Sequence, residues 1–275
     1  MSTQWQLAQH AAQRYQEIVV PYLLGIFASA LVDHAALTLG EAVLDVGCGT
    51  GAAARAAAQR VGTTGAVVGV DINPGMIAVA QAQPPVDGAT IEYSIHGATD
   101  LPFDAEYFDA VVCAQVLQFV PDRIAALAQM RRVIKPGGRV LISAWCALDE
   151  NPYFGAQVRS VTDHLGTEGG APLRAGFQLS DATLISAAFK AAGFDSVEIS
   201  AKELMLDLPP METFAAQQLT ATPSAALFAA ASTEKQQAII DDISAQLAPY
   251  RTADGVKLPV RSWFARAIKS NKAEI

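Results

Sequence analysis

Residues Ala42–Ala52 read AVLDVGCGTGA. Val43, Leu44 and Val46 surround one carboxylate, Asp45, and the run then opens into alternating glycines at 47, 49 and 51. The apolar residues suit a strand covered on both faces. The glycines let the backbone turn sharply and approach a ligand closely. The alanine-rich stretch 52–60 reads as the helix that follows. Together they predict a site for a nucleotide-like ligand at the end of a buried strand.

Two ligand classes fit this motif. Gly47-x-Gly49-x-x-Ala52 satisfies the relaxed dinucleotide fingerprint of dehydrogenases, and Asp71 supplies the carboxylate expected further on. Asp45 separates the two. A carboxylate just before the loop repels a pyrophosphate, whereas it accepts hydrogen bonds from the α-ammonium group of S-adenosylmethionine, which has no phosphate.

The chain has 275 residues, ample for a buried core, and carries a formal charge of −8. That balance, with no Lys/Arg cluster, argues against a nucleic-acid surface and favours a small-molecule substrate. Cys48, Cys113 and Cys146 are far apart, with no CxxC pair and no histidine at ligand spacing. Neither a disulfide framework nor a metal site is indicated, and a reducing cytoplasm fits. The N-terminus shows no charged segment leading into an apolar core, so no signal peptide is read. Residues 18–32 are uncharged but short for a membrane span and contain Pro21 and Gly25, which suits a buried or capping helix.

Further strands are predicted at 66–72, 90–95, 108–114 and 139–145, with helices over 74–81 and 121–133 between them. Asn73 and Pro74 are the N-cap and first residue of one such helix. Asp71 is placed at a strand tip, where it can accept both hydroxyls of a ribose. Strands alternating with helices predict a parallel sheet with its ligand at the strands' C-terminal ends. Later, a helix is expected over 181–192, a strand over 196–206, two or more helices between 211 and 250, and a strand or short helix over 258–268.

Four blocks, VLDVGCGTG at 43–51, VVGVDINPGMIAVA at 67–80, LPFDAEYFDAV at 101–111 and MRRVIKPGGRVLIS at 130–143, carry a resemblance. In order and spacing they resemble the class I S-adenosylmethionine-dependent methyltransferases, in the small-molecule group of the ubiquinone/menaquinone-biosynthesis enzymes. The resemblance implies an α/β, doubly wound, Rossmann-like sheet of seven strands in the order 3-2-1-4-5-7-6, with the last strand antiparallel. Residues 36–207 and 256–275 then form the core, with a helical lid from 1–35 and a helical insertion from 208–255.

The resemblance also implies roles. Asp45, Gly47 and Gly49 contact the methionine part of the cofactor, with Cys48 and Gly51 in the same loop. Asp71 holds the ribose, and Ile72 and Met76 flank the adenine. Where the family has Gly-Asp-Ala, with an Asp for the adenine amino group, this chain has His96-Gly97-Ala98, leaving Ala98 and Thr99 as the neighbours there. Cys113 and Ala114, then Gln115, stand where the family reaches the transferred methyl. The tetrapeptide of amide and base-nitrogen methyltransferases is absent at this strand end, where the chain reads Cys113-Ala114-Gln115-Val116, and this argues against such substrates.

The sulfonium carries its own activation, so the protein's task is to align an acceptor and exclude water. The catalytic base is unknown. His10, His34 and His164 are weak candidates, and His96 is read as structural. Tyr15, Gln115, Phe119 and Trp145 are the candidate acceptor contacts, out of a wider aromatic set of Trp5, Tyr22, Phe27, Tyr153 and Phe177. The expectation is methyl transfer to oxygen, carbon or nitrogen of a small, fairly apolar metabolite. Two alternatives stay open: a cofactor-binding protein doing cyclase-like chemistry, and a non-catalytic partner subunit with Gly97 as a sign of decay.

Overall fold

The computed structural model describes residues 9–271, with side chains from residue 11 onward. Seven strands form one sheet: β1 (Ala42–Val46), β2 (Ala66–Asp71), β3 (Ile91–Ile95), β4 (Phe108–Ala114), β5 (Ile134–Trp145), β6 (Glu198–Leu208) and β7 (Val256–Ile268). Their order is β3-β2-β1-β4-β5-β7-β6. The pairs among β1 to β5 are parallel, and β7 inserts antiparallel between β5 and β6. Strand order therefore reverses at β1 and β4, which opens a crevice at their C-terminal ends.

The helices are α1 (Gln9–Arg14), α2 (Gly25–His34), α3 (Ala52–Val61), α4 (Pro74–Ala82), α5 (Arg123–Val133), α6 (Pro152–Arg174), α7 (Ala182–Ala191), α8 (Met211–Leu219), α9 (Ala225–Ala230) and α10 (Thr233–Gln246). A π-helical stretch, Tyr15–Leu24, joins α1 to α2. Alternation along the strands feeds two apolar layers. Val43, Ala110 and Val112 pack under α2 and α3, whereas Leu44, Val46, Val111 and Cys113 pack under α5 and α7.

Among the described residues, the helical run Ala11–His34 is long and apolar enough to cross a membrane by length and composition. In this structure its inner face is part of the core, with Leu23, Phe27 and Leu31 buried. Arg139 of β5 fixes the lower end of that run. Its Nε donates to the Ala35 carbonyl at 2.6 Å, and its two terminal nitrogens meet Glu41 Oε1 and Oε2 at 2.9 and 2.7 Å.

Several boundaries differ from expectation. The helix before β5 begins at Arg123, because the Asp122 side chain caps it by accepting the Ala125 N–H at 2.9 Å. Lys135–Gly138, between the helix expected over 121–133 and the strand expected over 139–145, lies inside β5, since Gly137 N–H donates to the Lys269 carbonyl and Gly138 accepts from Lys269 N–H. The 23-residue α6 was not anticipated at all. Gly155, Gly166, Gly169, Gly170 and Pro172 mask its pattern, and Gly166 breaks it at φ 75°.

Candidate functional site

A cavity of about 600 Å³ opens over the C-terminal ends of β1, β2, β4 and β5. Asp45 reaches it from β1. One carboxylate oxygen accepts the Ala54 N–H at 2.8 Å; the other, Oδ1, is buried with no partner among the described residues. Burial pushes its pKa up to about 7; the Ala54 N–H opposes this, and the charge of Asp71 adds to it. An unpaired buried carboxylate oxygen is a vacancy for a cationic donor. Gly47 turns the chain here at φ +71°, and a Cβ at this position would collide with Val116.

Asp71 closes β2. Its two oxygens accept the Asn73 N–H at 2.8 Å and the Gly49 N–H at 2.9 Å, so the carboxylate is pinned across the glycine loop with lone pairs to spare. Asn73 caps α4 by accepting from Gly75 N–H at 2.8 Å, which aims Met76 at the same side. Half-exposed Ile72 stands beside it. A Cβ at Gly97 would meet only Ile72 Cδ1, at 3.9 Å, so the place of the family's aspartate is open space. The loop, two pinned carboxylates and an apolar slot fit the sulfonium amino acid, ribose and adenine of S-adenosylmethionine.

Tyr15 lies over the loop: a Cβ on Gly49 would sit 3.9 Å from its hydroxyl. Burial, then Asp71 and Asp45, holds the phenol well above its ordinary pKa, so it is a hydrogen-bond donor and not a base. The Cys48 thiol is likewise pushed up by burial and then Asp45, which leaves it no nucleophile.

The other half of the cavity is aromatic. Trp145, at the end of β5, meets Phe27 edge-on at 4.9 Å and Phe154 at 4.9 Å, and Phe154 continues to Phe177 at 5.7 Å. Gln115, just past β4, adopts φ 58° and is tied on both sides. Its N–H donates to the Ser143 carbonyl at 3.1 Å, and its Nε2 donates to Ser262 Oγ at 2.7 Å. A left-handed backbone at a non-glycine residue in a crevice is strain of the kind found at ligand sites.

Asp45, Gly47, Cys48, Gly49, Asp71 and Ile72 all line the cavity, as do Met76, Ala98, Thr99 and Ala114. So do Tyr15, Gln115, Phe119 and Trp145. Cys113 and Gly51 do not. Cys113 points away into the α5 layer, and Gly51 is the N-cap of α3, tight against Tyr93. Two of the base candidates, His34 and His164, fall elsewhere. His34 stacks near Phe264 at 5.8 Å and His164 faces Asp242 at 4.0 Å, while the His10 side chain and Trp5 lie outside the described ones. Phe27 and Tyr153 are core and Tyr22 packs on Phe214, so of the wider aromatic set Phe177 alone joins the lining. Phe154, Gln157 and Gln218 were missed; no local pattern marks them.

A strand-switch crevice with this loop defines a Rossmann-like nucleoside-binding α/β fold. Residues 44–142 match the family described as "Methyltransferase domain". Over 122 residues the chain is 38% identical to a ubiquinone biosynthesis O-methyltransferase of Pseudomonas syringae pv. tomato, covering 44% of this chain and 50% of that protein. Over 111 residues it is 40% identical to a ubiquinone/menaquinone biosynthesis C-methyltransferase of Bordetella parapertussis, covering 40% and 43%. The chain thus spans about half the length of the curated relatives it matches. The crystal structure of the YcgJ protein of Bacillus subtilis superposes with a TM-score of 0.59 at 17% identity, over 90% of this chain and 99% of that one, a likeness of fold. In its 44–142 segment the chain is thus similar to the methyltransferase domain, carried on a Rossmann-like sheet.

Proposed function

We propose that the chain transfers a methyl group from S-adenosylmethionine to a small, largely apolar metabolite, on oxygen, carbon or nitrogen, by in-line displacement. The observation that carries this reading is Asp45 Oδ1, buried and unpartnered at the mouth of a glycine loop whose far side is held by Asp71. When bound, the cofactor supplies an electrophilic methyl and its own leaving group. Asp45 accepts its ammonium, Asp71 its ribose hydroxyls, and Ile72 and Met76 enclose its adenine. Tyr15 and the helices above keep water out, which raises the barrier to hydrolysis relative to transfer.

Residues 1–35 and 208–255 are the cover in this reading. Val19, Val20 and Leu23 reach the cavity from the first segment, and Gln218, Ala221 and Thr222 from the second. The α6 region adds Phe154, Leu173 and Phe177, so the acceptor wall also draws on the stretch counted as core. The cytoplasm is the proposed setting, with all three cysteines buried free thiols. Nucleic acid is set aside as acceptor on the charge of −8.

Isothermal titration with S-adenosylmethionine and S-adenosylhomocysteine, on wild type and Asp71→Ala, tests the reading. Micromolar binding that Asp71→Ala weakens by about tenfold or more is expected. No binding to wild type overturns it.

A further inference from the structure

The acceptor half holds one polar device that methyl transfer does not use. Gln157 of α6 and Gln218 of α8 are both nearly fully buried, at 2% and 4% exposure, and both line the cavity. They share one hydrogen bond, Gln157 Nε2 donating to Gln218 Oε1. Each amide has a second polar atom, Gln157 Oε1 and Gln218 Nε2. Neither forms a hydrogen bond with a described residue. Reversing both amides together leaves the same result, one donor and one acceptor free toward the cavity.

The setting says what such a pair can read. Gln157 lies one helical turn after Phe154, on the face that meets Trp145 and Phe177. The formal charges among the described lining residues are Asp45, Asp71 and Asp122, with no Lys or Arg. A carboxylate or phosphate brought here would lose its water with no cation to replace it. A ketone or hydroxyl would instead satisfy the free amide ends, while its apolar body lies on the rings.

Resting on the methyltransferase reading above, we infer that Gln157 and Gln218 form a selectivity element that recognises one uncharged carbonyl or hydroxyl on an otherwise apolar acceptor. An acceptor without that group leaves the amides unpaired and binds more weakly. An anionic acceptor is rejected.

The test titrates the protein saturated with S-adenosylhomocysteine, by quenching of tryptophan fluorescence, with naphthalene, 2-acetylnaphthalene and 2-naphthoate. The ketone is expected to bind about tenfold tighter than naphthalene or naphthoate. In the double variant Gln157→Leu, Gln218→Leu the ketone falls to within about twofold of naphthalene, whose own affinity holds. Gln157→Met, Gln218→Met, closer in length, repeats the measurement should the leucine pair not fold. A ketone no tighter than naphthalene in wild type, including neither binding, overturns the inference. So does a preference that survives in the variants, because a pair that merely ties α6 to α8 would shift the melting temperature and leave selectivity alone. Calorimetric binding of S-adenosylhomocysteine is recorded throughout. Its absence in wild type defeats the methyltransferase reading, while its presence without a ketone preference defeats only the glutamine pair.

Discussion

The two halves of the cavity are built in opposite ways. At the cofactor end, strand tips and a glycine loop do the work, and Asp45 and Asp71 are oriented by backbone N–H groups at 2.8–2.9 Å. At the proposed acceptor end, rings and amides arrive from β5, α6 and α8, far apart in sequence, and touch only through tertiary packing. The first half resists change because backbone geometry holds it. The second is set by side chains, so it is where selectivity is free to vary.

The sharpest way to break that contrast is in α2. Phe27→Ala removes a fully buried ring from against Trp145, and a loss of about 3–5 kcal/mol is expected in urea unfolding. A loss below about 1 kcal/mol would make the N-terminal helices a detachable lid and not part of the core. Arg139→Met strands the largely buried Glu41 carboxylate, with about 3 kcal/mol expected. Adding Glu41→Gln should recover part of that, so an additive double variant would refute the pairing.

Asp45→Asn tests the cofactor half directly, with binding of S-adenosylmethionine about 10- to 100-fold weaker. It also carries a pH signature. Burial keeps the free Asp45 protonated below about 7, yet an ammonium partner requires the carboxylate. Below that point a proton must leave on binding, so wild-type affinity falls as pH drops, by up to about tenfold per unit, and levels off above it. The asparagine variant should show no such dependence; a sloped profile in it would assign the proton elsewhere. The smallest effect is a gain. Gly97→Asp places a carboxylate in open space beside Ile72, and roughly fivefold tighter cofactor binding is expected by calorimetry. An unchanged affinity would mean that the adenine is held without that position.

Much of the cofactor half was legible because its signals are local. Val43–Val46 and Phe108–Ala114 are mostly apolar runs, each with one aspartate, that end at a loop, and Asn73-Pro74 announces α4 by its capping chemistry. The acceptor half was legible only where a strand tip or its flank carried the residue, as with Trp145 and Gln115. Helix α6 hid behind its glycines: at Gly170 a Cβ would strike Thr162, whereas Gly166 stands in open space at φ +75°. Gln157 and Gln218 look like any polar residues in helices 61 positions apart, and nothing but the folded packing brings them together. His34 and His164 lie away from the cavity for the same reason in reverse, since residue type alone did not say that His34 faces Phe264.

The position of β7 bears on how the chain reaches this structure. The seventh strand in chain order, Val256–Ile268, lies inside the sheet and is the partner of both β5 and β6. While the chain emerges from the ribosome, β1 to β5 can assemble in order, but β5 keeps an open edge and β6 has no neighbour until the final strand threads between them. Closure therefore waits for β7 to emerge, and the nascent sheet spends that interval with an unpaired strand exposed to other chains.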